Sequence, residues 1–376
     1  MERWKSFLIE AYERSTALRE RLDAENINPR ELETIEQLSR ISVLKKEQLP
    51  LLQKHGLPFG NMITRRPNEL ARIFMSPGPI YDPQGEDQDE WGFSEALRAA
   101  GFTKDDIVQN TFSYHLSPAG FMFDAALRRI GATVVPAGPG NRELQVQLMS
   151  DLQVTGYVGT PSFLLALLQY AEEKGVSLAV EKAFFTAEKL TEKMRMQFVA
   201  KGVDVYEGYG TADCGCIAFE DRQGPGLKVS SRAIVQLCDP MTGEPLHEEG
   251  EIVVTILDRT YPLIRFGTGD VSRWVDDYEG ERIVGVIGRV GTSVKVKGMF
   301  VHEQQLKQIM DEVGCSSFQA VVTNENGYDQ LTIYIQNEID EQAKQKVKNV
   351  IRVTPTFVHV DQFQKEERYI VDKRKW

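Results

Sequence analysis

The chain has 376 residues, with 44 basic and 55 acidic side chains and a formal net charge of −11. That length suits two or three domains at roughly 150 residues each, and the acidic balance argues against nucleic acid as the main partner. No apolar run is long enough to cross a bilayer and the cysteines (Cys214, Cys216, Cys238, Cys315) are too sparse for a disulfide scaffold, so a cytoplasmic setting with no membrane partner is expected.

Taken in chain order, the opening MERWKSFLIEAYERS is charged and helical in pattern, unlike a signal peptide. Phe7, Leu8, Ala11, Tyr12, Leu18 and Leu22 recur at helical spacing, and the stretch to residue 55 predicts a second helix, a turn and a third. Pro29 marks a helix start and Gly56 follows a helix end. A strand is expected over 71–75, then Ser76-Pro77-Gly78-Pro79, then a helix over 87–100 closed by Gly101. From 107 to 190 strands (107–112, 133–136, 156–159, 182–185) alternate with helices (117–130, 142–152, 161–174), and a further helix covers 191–201. Strands apolar on both faces in such alternation imply a mainly parallel sheet covered by helices, with ligands beyond the carboxyl ends of the strands.

After 217 the texture changes to strands (228–237, 250–257, 282–287) joined by turns such as 239–243. From Gly288 onward a small α+β unit follows, with strands over 294–297, 317–323, 330–335 and 356–360 and helices over 302–312 and 340–351. The expected fold is α/β. A large N-terminal domain spans 1–288 (helical to 70, parallel sheet and helices 71–216, β-barrel-like 217–288), and a small mobile α+β domain spans 289–376.

Candidate chemistry concentrates in three stretches. In 204–216 a β-prone run leads into Gly208, Tyr209, Gly210, Thr211 and Asp213. Glycines after a strand let the backbone approach a ligand, a hydroxyl suits phosphate oxygens and a carboxylate suits a hard cation. The plainer reading is a turn capped by Thr211 and Asp213. In 261–270 a glycine-rich turn holds Asp270, which suits vicinal ribose hydroxyls or simply caps its own turn. Arg289 offers a planar fork to ribose or phosphate, and Lys295 and Lys297 share one face of a strand. Cys214, Cys216 and Cys238 with His247 fit no standard zinc spacing, and ordinary buried cysteines are the stronger reading.

The order of five segments carries more than any one of them. AEKLTEKMR (187–195), YGTAD (209–213), DPMTGEPLHEEGEIVVTIL (239–257), YPLIRFGTGD (261–270) and GRVGTSVKVKG (288–298) together resemble the adenylate-forming acyl-CoA synthetase superfamily, and within it the phenylacetate–CoA ligase branch. The resemblance implies that a carboxylic acid, phenylacetate-like and aromatic, attacks the α-phosphate of ATP. The acyl-adenylate is then cleaved by the thiol of CoA while the C-terminal domain rotates. It implies a nucleotide site built from Ser76, Gly78, Glu188, Gly208, Tyr209, Gly210, Thr211, Asp270 and Arg289. In it Tyr209 stacks on adenine, Thr211 touches the α-phosphate and Asp270 holds the ribose with help from Arg289. Asp213 takes the position that binds Mg²⁺, and Lys365 is the candidate catalytic lysine. His115, Phe121 and Ala187 fall where the acyl pocket is expected, and a homodimer is a family expectation.

The chain departs from the family pattern where pyrophosphate is handled. Its phosphate loop keeps Ser76 and Gly78 but lacks the threonines, the second glycine and the lysine, and Pro77 and Pro79 have no N–H to donate. Near the C-terminus, alignment on Asp372 puts Glu366 where the catalytic lysine belongs, with Lys365 one residue away and on the opposite strand face. Gly291 stands where a charged hinge residue is usual. The alternative expectation is therefore a protein that binds adenine nucleotide or acyl-adenylate without efficient ligase activity, or that transfers AMP elsewhere.

Overall fold

A computed structural model describes residues 3–76, 80–85, 89–291, 293–296, 299–325, 328–361 and 369–374. An eight-stranded sheet organises residues 107–283. Its order runs from Arg282–Ile283 through Leu227–Val229, Gly215–Phe219, Asp204–Thr211, Lys182–Phe185, Gly156–Gly159 and Ile107–Asn110 to Thr133–Pro136. Pairing is parallel from Thr133–Pro136 up to residues 204–207 and antiparallel beyond. All four residues of Gly156–Gly159 and all five of Gly215–Phe219 are buried, as strands covered on both faces must be.

The helices sort by face. Phe93–Ala99 and Ala119–Ile130 bury Phe93, Ala96, Phe123 and Ala126 on one side, with Phe184 from the sheet. Arg142–Asp151, Pro161–Glu173 and Glu192–Ala200 bury Met149, Leu164, Leu167 and Phe198 on the other. Their ends follow from local chemistry. The Asn141 and Thr191 side chains cap the starts of two helices, and Gly131, at φ 100°, ends a third.

A second sheet has the order Leu44–Lys45, Phe266–Arg273, Glu249–Ile256, Ala233–Cys238, with Gly288–Arg289 also paired to Phe266–Arg273. It shares a core with the first sheet through Tyr209, Ile217, Ile252, Phe266 and Ile283. Residues 294–370 bury a core of their own, built on the sheet Thr356–His359, Tyr328–Ile335, Phe318–Glu325, Ile370–Asp372 and on helices Glu303–Glu312 and Glu341–Ile351.

Several boundaries differ from expectation for identifiable reasons. The predicted second helix is two 3₁₀ turns, Pro29–Glu31 and Glu36–Arg40, because the backbone at Leu32 is extended and breaks the run. The helix expected over 87–100 is Phe93–Ala99, since Gly92 turns left-handed at φ 72° around the Arg232 side chain. The strand expected over 228–237 is two, Leu227–Val229 and Ala233–Cys238, which belong to different sheets. The strand expected over 282–287 is only Arg282–Ile283.

The larger correction concerns the glycine-rich stretches. Both were expected as turns after strands, and both lie within strands. Gly208, Tyr209, Gly210 and Thr211 continue Asp204–Thr211, and Gly267, Thr268, Gly269 and Asp270 sit in Phe266–Arg273. Each pairing carries a register shift. One lies opposite Tyr209/Gly210, and the other lets residues 267–271 face only 251–253. These are β-bulges, which bend a strand and re-aim a side chain without ending it. Gly269, at φ 76°, is the left-handed residue such a bulge needs.

Candidate functional site

The bulge at 268–270 fixes the direction of Asp270. The Thr268 hydroxyl donates to the Ile252 carbonyl at 2.9 Å and accepts the Asp270 amide at 3.2 Å. Gly269 N–H donates to Glu251 Oε1 at 3.0 Å. Held this way, the Asp270 carboxylate accepts the Tyr209 phenol on Oδ2 at 3.0 Å and Arg289 Nε on Oδ1 at 2.7 Å. Asp270 and Arg289 are also direct cross-strand partners. Three residues predicted to share a nucleotide thus converge on one carboxylate. A carboxylate has about four lone-pair sites, so two remain for the hydroxyls of a ligand.

Burial differs across the trio. The Asp270 side chain is 11% exposed and that of Arg289 64%. Burial, then the neighbouring Asp270 charge, pushes the Tyr209 phenol well above its ordinary pKa, so it stays a donor. The hydrogen bond to Asp270, followed by its charge, raises Arg289. The Tyr209 ring packs into the core between the sheets.

The glycines beside Tyr209 are there for packing. A Cβ on Gly208 would stand 2.5 Å from the Phe184 ring, and one on Gly210 would run into the Gly215 carbonyl. The Thr211 hydroxyl accepts the Cys214 amide at 3.1 Å and so caps the turn that follows, leaving its own proton to donate.

Asp213 lies just past this strand. Its side chain is fully enclosed, and Oδ2 accepts Lys46 Nζ at 2.5 Å. Lys46 is a residue the sequence reading did not single out. It is delivered by the short strand Leu44–Lys45, which pairs in parallel with the strand of Asp270. Burial alone would lower its pKa, but the charge and hydrogen bond of Asp213 outweigh that and raise it. Around this pair Asp82, Tyr261 and Ser76 are all buried. Both Asp82 oxygens, Asp213 Oδ1, Tyr261 Oη and Ser76 Oγ lack a hydrogen bond of normal geometry among the described residues. Burial first, then the Asp213 charge, push the Asp82 carboxyl up to about 7.

A divalent ion does not fit Asp213 as it stands. Mg²⁺ asks for near-octahedral oxygens at about 2.0–2.1 Å. Here one carboxylate oxygen already holds an ammonium, whose charge would repel a dication. Among the described residues no group of three or more His, Cys, Asp or Glu side chains converges in a metal-binding way.

The other expected positions are scattered. Ser76 ends the strand Arg72–Ser76, whereas Gly78, Lys297, Gly298, Lys365 and Glu366 lie outside the described residues. Glu188 is exposed, and its Oε2 accepts the Ser162 amide at 3.3 Å. Ala187 is exposed and left-handed at φ 69°, a conformation costly for a residue with a Cβ and common at functional positions. His115 is exposed on the loop before helix Ala119–Ile130. Phe121 packs between Phe74 and Tyr114, at 5.3 and 5.2 Å between ring centroids, with the Arg72 guanidinium 4.8 Å above its ring. The four cysteines are free and buried, and His247 pairs with Glu279 at 2.9 Å. Burial, then Asp213, push the Cys214 thiol up to about 12, which leaves it protonated and unreactive.

Comparison with known proteins places this geometry. Residues 93–255 match the model of the AMP-binding enzyme family. The phenylacetate-coenzyme A ligase of Aromatoleum evansii is 27% identical over 82% of this chain and 74% of its own length. That of Thermus thermophilus is 28% identical over 89% and 80%. Among solved structures, an open conformation of 2-hydroxyisobutyryl-CoA ligase, in complex with 2-HIB-AMP and CoA, superposes with a TM-score of 0.87 at 19% identity, over 99% of this chain and 90% of that one. The same ligase in its thioesterification state gives 0.70 over 99% and 88%. No helix among the described residues is long and apolar enough to cross a membrane. Residues 93–255 thus carry the match to the AMP-binding enzyme family, and most of the chain is similar to phenylacetate-coenzyme A ligases.

Proposed function

We propose that this chain is an acid–CoA ligase working through an acyl-adenylate. The observation that carries the reading is the Asp270 carboxylate, held by a bulge and anchored on both oxygens with lone pairs to spare, in a chain of the AMP-binding family. Asp270 takes the ribose hydroxyls of an adenine nucleotide, and Arg289, whose side chain is largely exposed, closes over the sugar. Thr211 donates its free hydroxyl proton toward the first phosphate. The acid attacks that phosphorus, pyrophosphate leaves, and the thiol of CoA then takes the acyl group and releases AMP. Fixed donors aimed at charge that develops at phosphorus supply the catalysis.

The acid is aromatic by analogy with the phenylacetate-coenzyme A ligases, and Phe121, His115 and Ala187 border its pocket. The residues from 289 onward, with their own core, form the lobe that turns between the half-reactions, and Gly291, at φ 85°, is a pivot that permits rotation. Glu188, Ser76, Gly78 and Lys365 complete the nucleotide site, and the active species is a homodimer.

The phosphate loop favours a second reading. Pro77 and Pro79 remove two amides that would hold β- and γ-phosphates, so the cleft binds AMP or an acyl-adenylate while adenylation from ATP is weak. ATP–pyrophosphate exchange and thioester formation, measured over a panel of aryl and acyl acids, decide between them. Exchange together with thioester supports the ligase. AMP binding without exchange for any acid supports the second reading, and absence of AMP binding removes both.

A further inference from the structure

Asp213 and Lys46 are 167 positions apart in sequence and form a buried ion pair. Asp213 is sealed from solvent, whereas the Lys46 side chain keeps 27% of its surface. Lys46 is thus the less buried member of the pair. The segment that carries it runs beside the nucleotide carboxylate. Leu44–Lys45 pairs with Phe266 and Gly267 of the Asp270 strand, and Glu47 Oε1 lies 3.7 Å from where a Cβ on Gly269 would stand. Lys46 therefore sits between the end of the Tyr209 strand and the bulge that aims Asp270.

We infer that Lys46 is the built-in cation of Asp213, occupying the place of a divalent ion and offering its remaining N–H groups to the phosphate of a nucleotide seated on Asp270. The inference rests on the adenylate reading above. An ammonium has three donors, and Asp213 uses one. Asp213 acts as a positioning residue. Its enclosed carboxylate fixes the direction of Nζ and keeps the charge on it. The arrangement suits a loop in which Pro77 and Pro79 have no amide to give, because a side chain from the N-terminal segment supplies positive charge that the loop does not.

The test is a Mn²⁺ titration of the full chain with saturating AMP, followed by electron paramagnetic resonance, beside calorimetry of AMP binding in EDTA. The variants are Lys46→Met, Lys46→Arg and Asp213→Asn. The wild type should show no Mn²⁺ site that depends on Asp213, and its AMP affinity should be the same in EDTA and in Mg²⁺. Lys46→Met should bind AMP about tenfold more weakly, as loss of a charge-assisted hydrogen bond implies, and Lys46→Arg should recover most of that. Two results overturn the inference and leave the adenylate reading standing. One is a stoichiometric Mn²⁺ site in the wild type that vanishes in Asp213→Asn. The other is AMP binding by Lys46→Met at wild-type strength. A wild type that binds no AMP overturns both. Should Lys46→Met fail to fold, the wild-type metal titration and Lys46→Arg still decide.

Discussion

Tyr209 and Asp270 are 61 positions apart in sequence and meet in a 3.0 Å hydrogen bond that joins the eight-stranded sheet to the second sheet. The bond also orients the carboxylate proposed to hold the ribose. Both residues sit beside β-bulges, so the pair is set by two local irregularities that face each other across one core.

Removing either partner has a different expected effect. Asp270→Ala should abolish AMP binding in calorimetry, because the ribose acceptor and the anchor of Arg289 are lost together. Tyr209→Phe should keep the site but leave Asp270 Oδ2 without its phenol donor. We expect a stability loss of about 1–2 kcal/mol in urea unfolding and a weakened AMP affinity. Lys365→Ala should leave AMP binding intact. Equal effects of Asp270→Ala and Lys365→Ala would contradict these roles.

Asp82 makes stability depend on pH. Its carboxyl is held at about 7 against an ordinary 3.8, first by burial and then by Asp213. Between those values the folded chain binds more protons than the unfolded one, so stability falls as pH rises through that window. Asp82→Asn removes the group, and the variant should gain about 4 kcal/mol on the wild type at pH 8 relative to pH 4. Glu90, raised to about 7 by burial and by Asp258, titrates in the same window in both proteins and cancels in the difference. Parallel stability curves for wild type and variant would refute the assignment.

Gly210 tests whether the glycines flanking Tyr209 serve packing. A methyl group there meets the Gly215 carbonyl, which is backbone of the paired strand and cannot swing away. Gly210→Ala should cost about 1–3 kcal/mol in chemical denaturation and lower AMP affinity by displacing Tyr209. Wild-type stability would mean that the bulge can absorb a side chain.

Arg265, within the 261–270 motif, is 1% exposed and ties the N-terminal segment to the second sheet. Its guanidinium donates to the Ser39 carbonyl at 2.6 Å and the Ile41 carbonyl at 2.7 Å, and also to the Gly243 carbonyl. Arg265→Ala strands these acceptors and should cost about 3 kcal/mol or more, seen as a lower Tm. If the N-terminal segment loosens as expected, Lys46 is displaced with it and limited proteolysis should cut near residue 40.

Much of the architecture could be read from the sequence, because alternation of strand and helix is a local pattern. Gly156–Gly159 and Lys182–Phe185 are found as read, and helix Ala119–Ile130 within two residues. Misreadings fell where local and tertiary preferences conflict. Gly208–Gly210 and Gly267–Gly269 look like turns because glycine favours them, yet Gly208, Gly210 and Gly267 are crowded by the Phe184 ring, the Gly215 carbonyl and the Glu251 side chain, and Gly269 supplies the left-handed residue of a bulge. The 3₁₀ turns at Pro29–Glu31 and Glu36–Arg40 carry helical spacing without the length to propagate.

The sequence by itself determined the family resemblance, the order of most strands and helices and the choice of Tyr209, Asp270 and Arg289 as candidates, since motif spacing and hydrophobic period survive without coordinates. Only the tertiary structure decided that these three share one carboxylate, that Asp213 is enclosed against Lys46 and that Asp82 is pressed beside it. A lysine near the start of a chain carries no local sign of the acid it will meet. Its partner is chosen when Leu44–Lys45 adds to the edge of a distant sheet, and that pairing is a property of the folded whole.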